Sequence, residues 1–127
     1  MIVLDTHALV WWVNAAKELS KTAKRAIQNE LANEGTILIS AITAWEIAML
    51  VKKKRLTMNM NVQAWLDTVA EIPAVRFIPL DRSLALNCVD LPGIFHKDPA
   101  DRIIVATARS QSAALISSDE RIRQYQY

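Results

Sequence analysis

The sequence is poor in cysteine, glycine and proline, and each shortage excludes a class of protein. Its 127 residues include one cysteine, Cys88, so neither an internal disulfide nor a cysteine-based metal site can form. Only two glycines and four prolines are present, and 22% of the residues are charged, which excludes a disordered or fibrous chain. Because 52% of the residues are hydrophobic and the length suits one domain, we expect a single domain over residues 1–127.

Long apolar segments are also absent. The longest uncharged stretches, such as Thr6–Ala16 and Gly35–Trp45, have 11 residues, whereas a membrane-spanning helix needs about 20. The apolar N-terminus is interrupted by Asp5 and has no basic lead-in, which is a poor match to a signal peptide. We therefore expect no membrane partner and a cytoplasmic setting. The net charge of +2 is compatible with nucleic-acid binding but does not indicate it.

Short β-branched runs alternate with helical patterns along the chain. This alternation predicts an α/β fold with a largely parallel sheet, and ligands of such sheets bind beyond the carboxyl ends of the strands. The predicted strands are Met1–Leu4, Thr36–Ile39, Val75–Ile78 and Ala114–Ser117. The predicted helices are His7–Val13, Ser20–Asn33, Ser40–Lys53, Asn61–Ala70, Arg82–Val89 and a last one from Asp98–Pro99 to Ser110.

Four acidic residues stand at positions that suit a catalytic site. Asp5 directly follows the first predicted strand, and Asp119 closely follows the last. Glu46 and Asp101 lie in the first two turns of predicted helices, each on a mainly apolar stripe. A buried carboxylate persists only if it is paired, protonated or bound to a metal. Clustered carboxylates need a cation among them, and hard oxygen ligands favour Mg²⁺ or Mn²⁺ over zinc.

Such a cluster commonly serves phosphodiester chemistry, in which one or two divalent ions orient the phosphate and activate water. No competing motif is present: the sequence contains neither a phosphate-binding loop nor GxGxxG, GxSxG or HExxH. The residues alone therefore predict metal-dependent chemistry on a phosphodiester.

Each acid also has a structural interpretation. Asp119 could cap a short following segment, and Glu46 could form a buried ion pair with a lysine. Asp101 could simply favour the positive end of its helix. Asp5 has no obvious helix to cap, which leaves a local turn with Thr6 as its alternative.

Several neighbouring residues have two interpretations. Asp98 is expected to be the N-cap before Pro99, with a role at the metal as the alternative. Thr6 and Ser117 could hold a carboxylate or a water at the metal, or else hydrogen-bond the local backbone. His7 is expected to be structural rather than a base. The basic run Lys52–Arg55 suits a helix C-terminus, and it could also line a path for phosphates.

Four segments together resemble the PIN-domain family, and more closely the VapC-type ribonuclease toxins of bacterial toxin–antitoxin pairs. They span nearly the whole chain in the expected order: MIVLDTHALVWW, SAITAWEIAML, HKDPADRIIVATA and LISSDERIRQY. Each segment is weak evidence alone, but four in this order are specific. The resemblance implies that Asp5, Glu46, Asp101 and Asp119 are catalytic metal-binding acids, with Ser117 as the small hydroxyl residue two positions before the last acid. Asp98 matches a further acid of less certain role.

The resemblance also implies the fold and the biology. It implies a three-layer α/β/α fold with a central, mainly parallel sheet, and an endoribonuclease that depends on Mg²⁺ or Mn²⁺. Its expected partners are an RNA substrate, a small VapB-like antitoxin and a second copy of the chain in a homodimer.

Three other functions are left open. A receiver-like phosphoacceptor would need an acceptor aspartate on a central strand, and Thr36–Ile39 has none. A haloacid-dehalogenase-type phosphatase would need a second aspartate where His7 stands. A non-catalytic RNA- or partner-binding module would retain the acids for folding, and it would bind RNA without cutting it.

Overall fold

The computed structural model describes residues 1–93 and 98–117, in which four strands and six helices are formed. The strands are β1 (Ile2–Leu4), β2 (Ile37–Ser40), β3 (Val75–Ile78) and β4 (Ala114–Ile116). The helices are α1 (Thr6–Val13), α2 (Lys21–Ala32), α3 (Ala41–Lys52), α4 (Val62–Ala70), α5 (Arg82–Val89) and α6 (Pro99–Ser110). None of the helices in these ranges is both long enough and apolar enough to cross a membrane.

The four strands form one sheet in the order β3-β2-β1-β4, and every neighbouring pair is parallel. The register places Leu4 beside Ile39 of β2 and Ile116 of β4. Because all strands run the same way, their carboxyl ends meet at one edge of the sheet. The residues that follow β1, β2 and β4 are therefore brought together at that edge.

Helices cover both faces of the sheet, because successive strand residues point to opposite sides. One face presents Ile2 and Leu4 to a core shared with α1 through α4, in which Leu9, Ile27 and Ile47 are fully buried. The other face presents Val3 and Leu38 to Ile104 and Ala108 of α6. Helix α5 and the segment after it pack against α6, with Leu84 and Leu91 in one cluster with Val105 and Ala106. The predicted three-layer α/β fold with a parallel sheet is confirmed.

The shortage of glycine is visible at the helix ends. Four helices end with a residue in the left-handed region, and none of these residues is glycine: Ala15 (φ 51), Glu34 (φ 57), Lys54 (φ 60) and Ser112 (φ 51). In each case the next backbone N–H donates to a carbonyl five residues back, for example Ala16 to Trp11 at 2.8 Å. This is the hydrogen bond of the Schellman motif, whose left-handed position usually holds glycine.

Gly35 lies one position beyond the left-handed residue of α2, beside the end of the Glu30 side chain. A Cβ at Gly35 would overlap the Glu30 carboxylate, which would have to move. Oε2 of that carboxylate accepts a hydrogen bond from the N-terminal ammonium of Met1 at 3.1 Å. Gly35 therefore leaves room for the carboxylate that ties the start of β1 to α2.

Candidate metal centre at the carboxyl edge of the sheet

Asp5 lies directly after β1 and uses both of its carboxylate oxygens. Its Oδ1 accepts the backbone N–H of Ala8 at 2.8 Å, so Asp5 is the N-cap of α1. Its Oδ2 accepts the hydroxyl of Ser117 at 2.5 Å. The expectation that Asp5 has no helix to cap is wrong, because α1 begins at Thr6, one residue earlier than predicted. The Asp5 side chain is buried.

Ser117 reaches Asp5 because of the strand order. It follows β4, which pairs directly with β1, and the backbone N–H of Asp5 donates to the carbonyl of Ile116 at 3.1 Å. The two residues are 112 positions apart in the sequence. The structure thus joins the ends of two parallel strands through one carboxylate.

Glu46 is held by a chain of hydroxyl groups. Thr6 Oγ1 lies 2.5 Å from Oε1 of Glu46 and 3.3 Å from Oγ1 of Thr43. A hydroxyl has one proton, so Thr6 donates to the carboxylate and accepts from Thr43. Thr6 and Thr43 are both buried. Glu46 itself forms no ion pair among residues 1–93 and 98–117, so its alternative as the partner of a lysine finds no support.

Burial raises the pKa of Glu46 above its ordinary value. The Thr6 hydroxyl opposes this rise in the pKa, because its hydrogen bond stabilises the charged form. The charges of Asp98 and Asp5 raise the pKa further, whereas the charge of His7 lowers it. Glu46 therefore lies within electrostatic range of two other carboxylates in a partly desolvated environment, and a divalent cation there would stabilise its ionised form.

Helix α6 brings two more acids to the same edge. It leads into β4, so its N-terminus lies at the carboxyl ends of the strands. Asp98 is its N-cap and accepts the backbone N–H of Asp101 at 3.2 Å, ahead of Pro99 in the first turn, as the sequence predicts. Asp101 is half-buried in that first turn, at the positive end of the helix dipole.

The described residues contain part of the predicted acidic set. Asp119 and His96 lie outside them. Within residues 1–93 and 98–117, no three Asp, Glu, His or Cys side chains converge closely enough to bind one ion together. The donors present are carboxylate oxygens supported by hydroxyls, and these suit a hard divalent cation.

Two further residues belong to the site's surroundings. Thr43 supplies the hydroxyl behind Thr6, and its position one turn before Glu46 on the same helix is the signal in the sequence that could have found it. His7 is exposed, and its ring centroid lies 5.6 Å from that of Trp11. Its effect on the pKa of Glu46 places it at the rim of the site.

Comparisons with known proteins identify the family of this chain. The sequence profile of the PIN domain matches residues 2–126. The chain is 35% identical over 126 residues to Ribonuclease VapC22 of Mycobacterium tuberculosis, which covers 99% of this chain and 92% of that relative. The match therefore extends over the whole length that carries the site.

Solved structures share the fold. A toxin–antitoxin complex from Klebsiella pneumoniae aligns with a TM-score of 0.67 and 22% identity, over 98% of this chain and 91% of that one. VapC20 of Mycobacterium tuberculosis, described as a sarcin–ricin loop cleaving toxin, aligns with a TM-score of 0.68 and 16% identity, over 97% and 93%. With profile, relative and fold in agreement, this chain belongs to the PIN-domain family, to which the VapC-type resemblance of its sequence pointed.

Proposed function

We propose that this chain is a metal-dependent endoribonuclease and the toxin of a toxin–antitoxin pair. The observation that carries the proposal is the pair of hydroxyl-held carboxylates, Asp5 and Glu46, at the carboxyl edge of the sheet. The rise in the pKa of Glu46 on burial and beside other acids is what a site built to accept a cation would show. RNA as the substrate is supported by the relative named as a ribonuclease.

We assign Asp5, Glu46, Asp101 and Asp119 as the catalytic acids that would hold Mg²⁺ or Mn²⁺. Asp5, Glu46 and Asp101 come from three different elements that meet at one edge, and Asp119 comes two positions after Ser117 in the sequence. All four supply hard oxygen donors, which Mg²⁺ and Mn²⁺ prefer. When bound, the cation supplies neutralisation of phosphate charge and activation of water.

The remaining residues position the acids. Ser117 donates to Asp5 and Thr6 donates to Glu46, so each carboxylate is kept in one orientation. Asp98 adds negative charge close to Glu46, which strengthens the attraction for a cation. Water is the nucleophile in this proposal, so the products carry 5′-phosphate and 3′-hydroxyl ends. A 2′,3′-cyclic phosphate would contradict it, because the ribose hydroxyl would then have attacked.

The experiment is cleavage of total cellular RNA by the purified protein with Mg²⁺, with Mn²⁺ and with a chelator. The variant is Asp5→Asn, whose amide oxygen can still cap α1. We expect discrete, metal-dependent cuts from the wild type. We expect the cleavage rate of the variant to fall by more than about 10–100-fold, which is the typical cost of losing only the hydrogen-bond partner of a metal ligand.

The matched control is Asp81→Asn. Asp81 caps α5 and accepts the N–H of Leu84 at 2.8 Å, the same bond that Asp5 makes to Ala8. Asp81→Asn therefore repeats the chemical change without touching the acidic site, and it should cut like the wild type. Equal cleavage by wild type and Asp5→Asn would refute the nuclease. RNA binding without cutting would support the non-catalytic alternative, once bound antitoxin had been excluded by mass.

The partners follow from the same proposal. Solved structures that share the fold are toxin–antitoxin complexes, which supports a small VapB-like antitoxin as the partner here. We also propose a homodimer, and Leu86 and Val89 on α5 are 63% and 70% exposed, as apolar interface residues of a lone chain would be. The proposed setting is the cytoplasm, where RNA is available. Mass measurement of the native complex tests both the antitoxin and the dimer.

A further inference from the structure

Four consecutive cations, Lys52–Arg55, stand where α3 ends. Lys53 is the C-cap, Lys54 adopts the left-handed conformation, and the N–H of Arg55 donates to the carbonyl of Leu50 at 2.9 Å. This tight helix end holds the four charges within about one turn. All four side chains are exposed. In residues 1–93 and 98–117, the one ion pair joins Met1 and Glu30, so no carboxylate of these ranges neutralises the run.

The fold does not require basic residues at such a helix end. Helix α2 ends in the same geometry with Glu34, an acid, at the left-handed position, and α1 ends with Ala15. No cation stands in the last turn of either helix. The α3 dipole favours cations only within its last turn, at about 0.3–1 kcal/mol each. That effect explains Lys52 and Lys53, but it leaves Lys54 and Arg55 beyond the helix without a structural reason.

Helix α3 connects this basic run to the acidic site. Glu46 and Lys53 are seven positions apart, which is almost two turns, and Lys53 caps the helix that carries Glu46. At about 1.5 Å per residue, their Cα atoms are separated by roughly 10 Å along the axis. This separation exceeds the distance between neighbouring phosphates of a nucleic-acid strand. The basic run thus lies about two helical turns from Glu46, at the far end of the helix that carries this acid.

We propose that Lys52–Arg55 binds backbone phosphates of the RNA strand next to the cleaved bond. This inference rests on the proposed nuclease function. A row of exposed cations about two helical turns from a proposed site for one phosphodiester matches a linear polyanion, whose next phosphates continue away from the site. Lysine serves as a point charge for phosphate, so the interaction fixes the position of the strand without reading its sequence.

The test compares two variants that each remove four positive charges. The first is Lys52→Gln, Lys53→Gln, Lys54→Gln and Arg55→Gln together. The control is Lys17→Gln, Lys21→Gln, Lys24→Gln and Arg25→Gln, all exposed cations on and before α2. The Kd for a labelled single-stranded RNA of mixed sequence is measured against salt concentration in a chelator, so that no cleavage occurs. Thermal melting of both variants shows whether they fold.

The first variant should bind RNA roughly 10-fold or more weakly at low salt, and its plot of log K against log salt should flatten by about 0.7 for each phosphate that the protein no longer neutralises. The control should keep the wild-type slope. If the first variant also keeps that slope, or if both variants flatten equally, the proposal is overturned. Lys53→Gln alone, expected to release about one phosphate, gives a second measurement if the fourfold variant does not fold.

The binding readout separates this inference from the nuclease itself. A wild type that binds RNA through this run but never cuts it would overturn the proposed function. If the wild type cuts RNA and the first variant binds RNA as tightly as the wild type, only the inference about Lys52–Arg55 is overturned.

Discussion

The hydroxyl of Thr6 can be removed with almost no change in side-chain volume, by Thr6→Val. Thr6 is 3% exposed and donates to Glu46 at 2.5 Å. The substitution leaves Glu46 without its hydroxyl donor and leaves the Thr43 hydroxyl without its acceptor. A buried group left unsatisfied costs about 1–3 kcal/mol, so the variant should melt lower than the wild type but still fold.

The larger effect is expected on metal binding. The Thr6 hydrogen bond lowers the pKa of Glu46 against burial and the charges of Asp98 and Asp5. Without it the pKa rises further, and protons compete with the cation up to a higher pH. Loss of a hydrogen-bond partner of a ligand typically costs about 10–100-fold in metal affinity or activity. We expect that loss in Thr6→Val, with the pH dependence of Mn²⁺ binding moved to higher pH.

The assay is calorimetric titration of Mn²⁺ at several pH values, with RNA cleavage measured in parallel. Thr6→Ser is the matched control, because it loses a buried methyl group but keeps the hydroxyl. It should retain the pH profile of the wild type and most of its affinity. Our reasoning would be refuted if Thr6→Val bound Mn²⁺ with wild-type affinity across the pH range.

Two further predictions concern stability. Because the pKa of Glu46 is raised in the folded state, the metal-free protein should lose stability as pH rises from the ordinary glutamate range through the raised pKa. The melting temperature of Glu46→Gln should therefore exceed that of the wild type by a margin that grows towards neutral pH. A difference that stays constant with pH in chelator would contradict this. Ala15→Gly and Ser112→Gly should each stabilise the folded protein by about 0.5–1 kcal/mol. Glycine removes the steric cost of the left-handed conformation, and this gain exceeds the cost of the extra conformational freedom that glycine gives the unfolded chain. Each substitution should raise the melting temperature by about 2–4 °C. The control Ala23→Gly, inside α2, should lower the melting temperature. If Ala15→Gly melts no higher than the wild type, the left-handed residues at the helix ends are not strained.

Much of the fold could be predicted from local patterns. The start of α6 at Asp98 and Pro99 is a local signal, because an N-cap followed by proline needs no tertiary interaction. The predicted start of α1 is one residue late, since apolar periodicity does not distinguish Thr6 from His7 as the first helical residue. Because of this difference of one residue, the capping role of Asp5 is not predicted, since it depends on where the helix begins.

The interactions within the site needed the three-dimensional structure. Asp5 meets Ser117 only because β4 pairs with β1, and the sequence of a parallel sheet does not specify which strands are neighbours. The hydroxyl chain from Thr43 to Glu46 likewise joins two helices whose packing is set by the whole core. The sequence could name these residues as candidates for such roles, but it could not pair them.

The bond between Ser117 and Asp5 also has a consequence for the order of folding. It closes a loop of more than a hundred residues, so it forms only after the intervening chain has collapsed and β4 has joined the sheet. Among the described strands β4 is a three-residue strand at the sheet edge, where local opening needs less energy than global unfolding. Cleavage should therefore appear last during refolding and disappear first in mild denaturant, while the helices are still intact. With Asp5 as a catalytic acid, as proposed, the activity would be gained late and lost early, and partly folded molecules would not cut RNA.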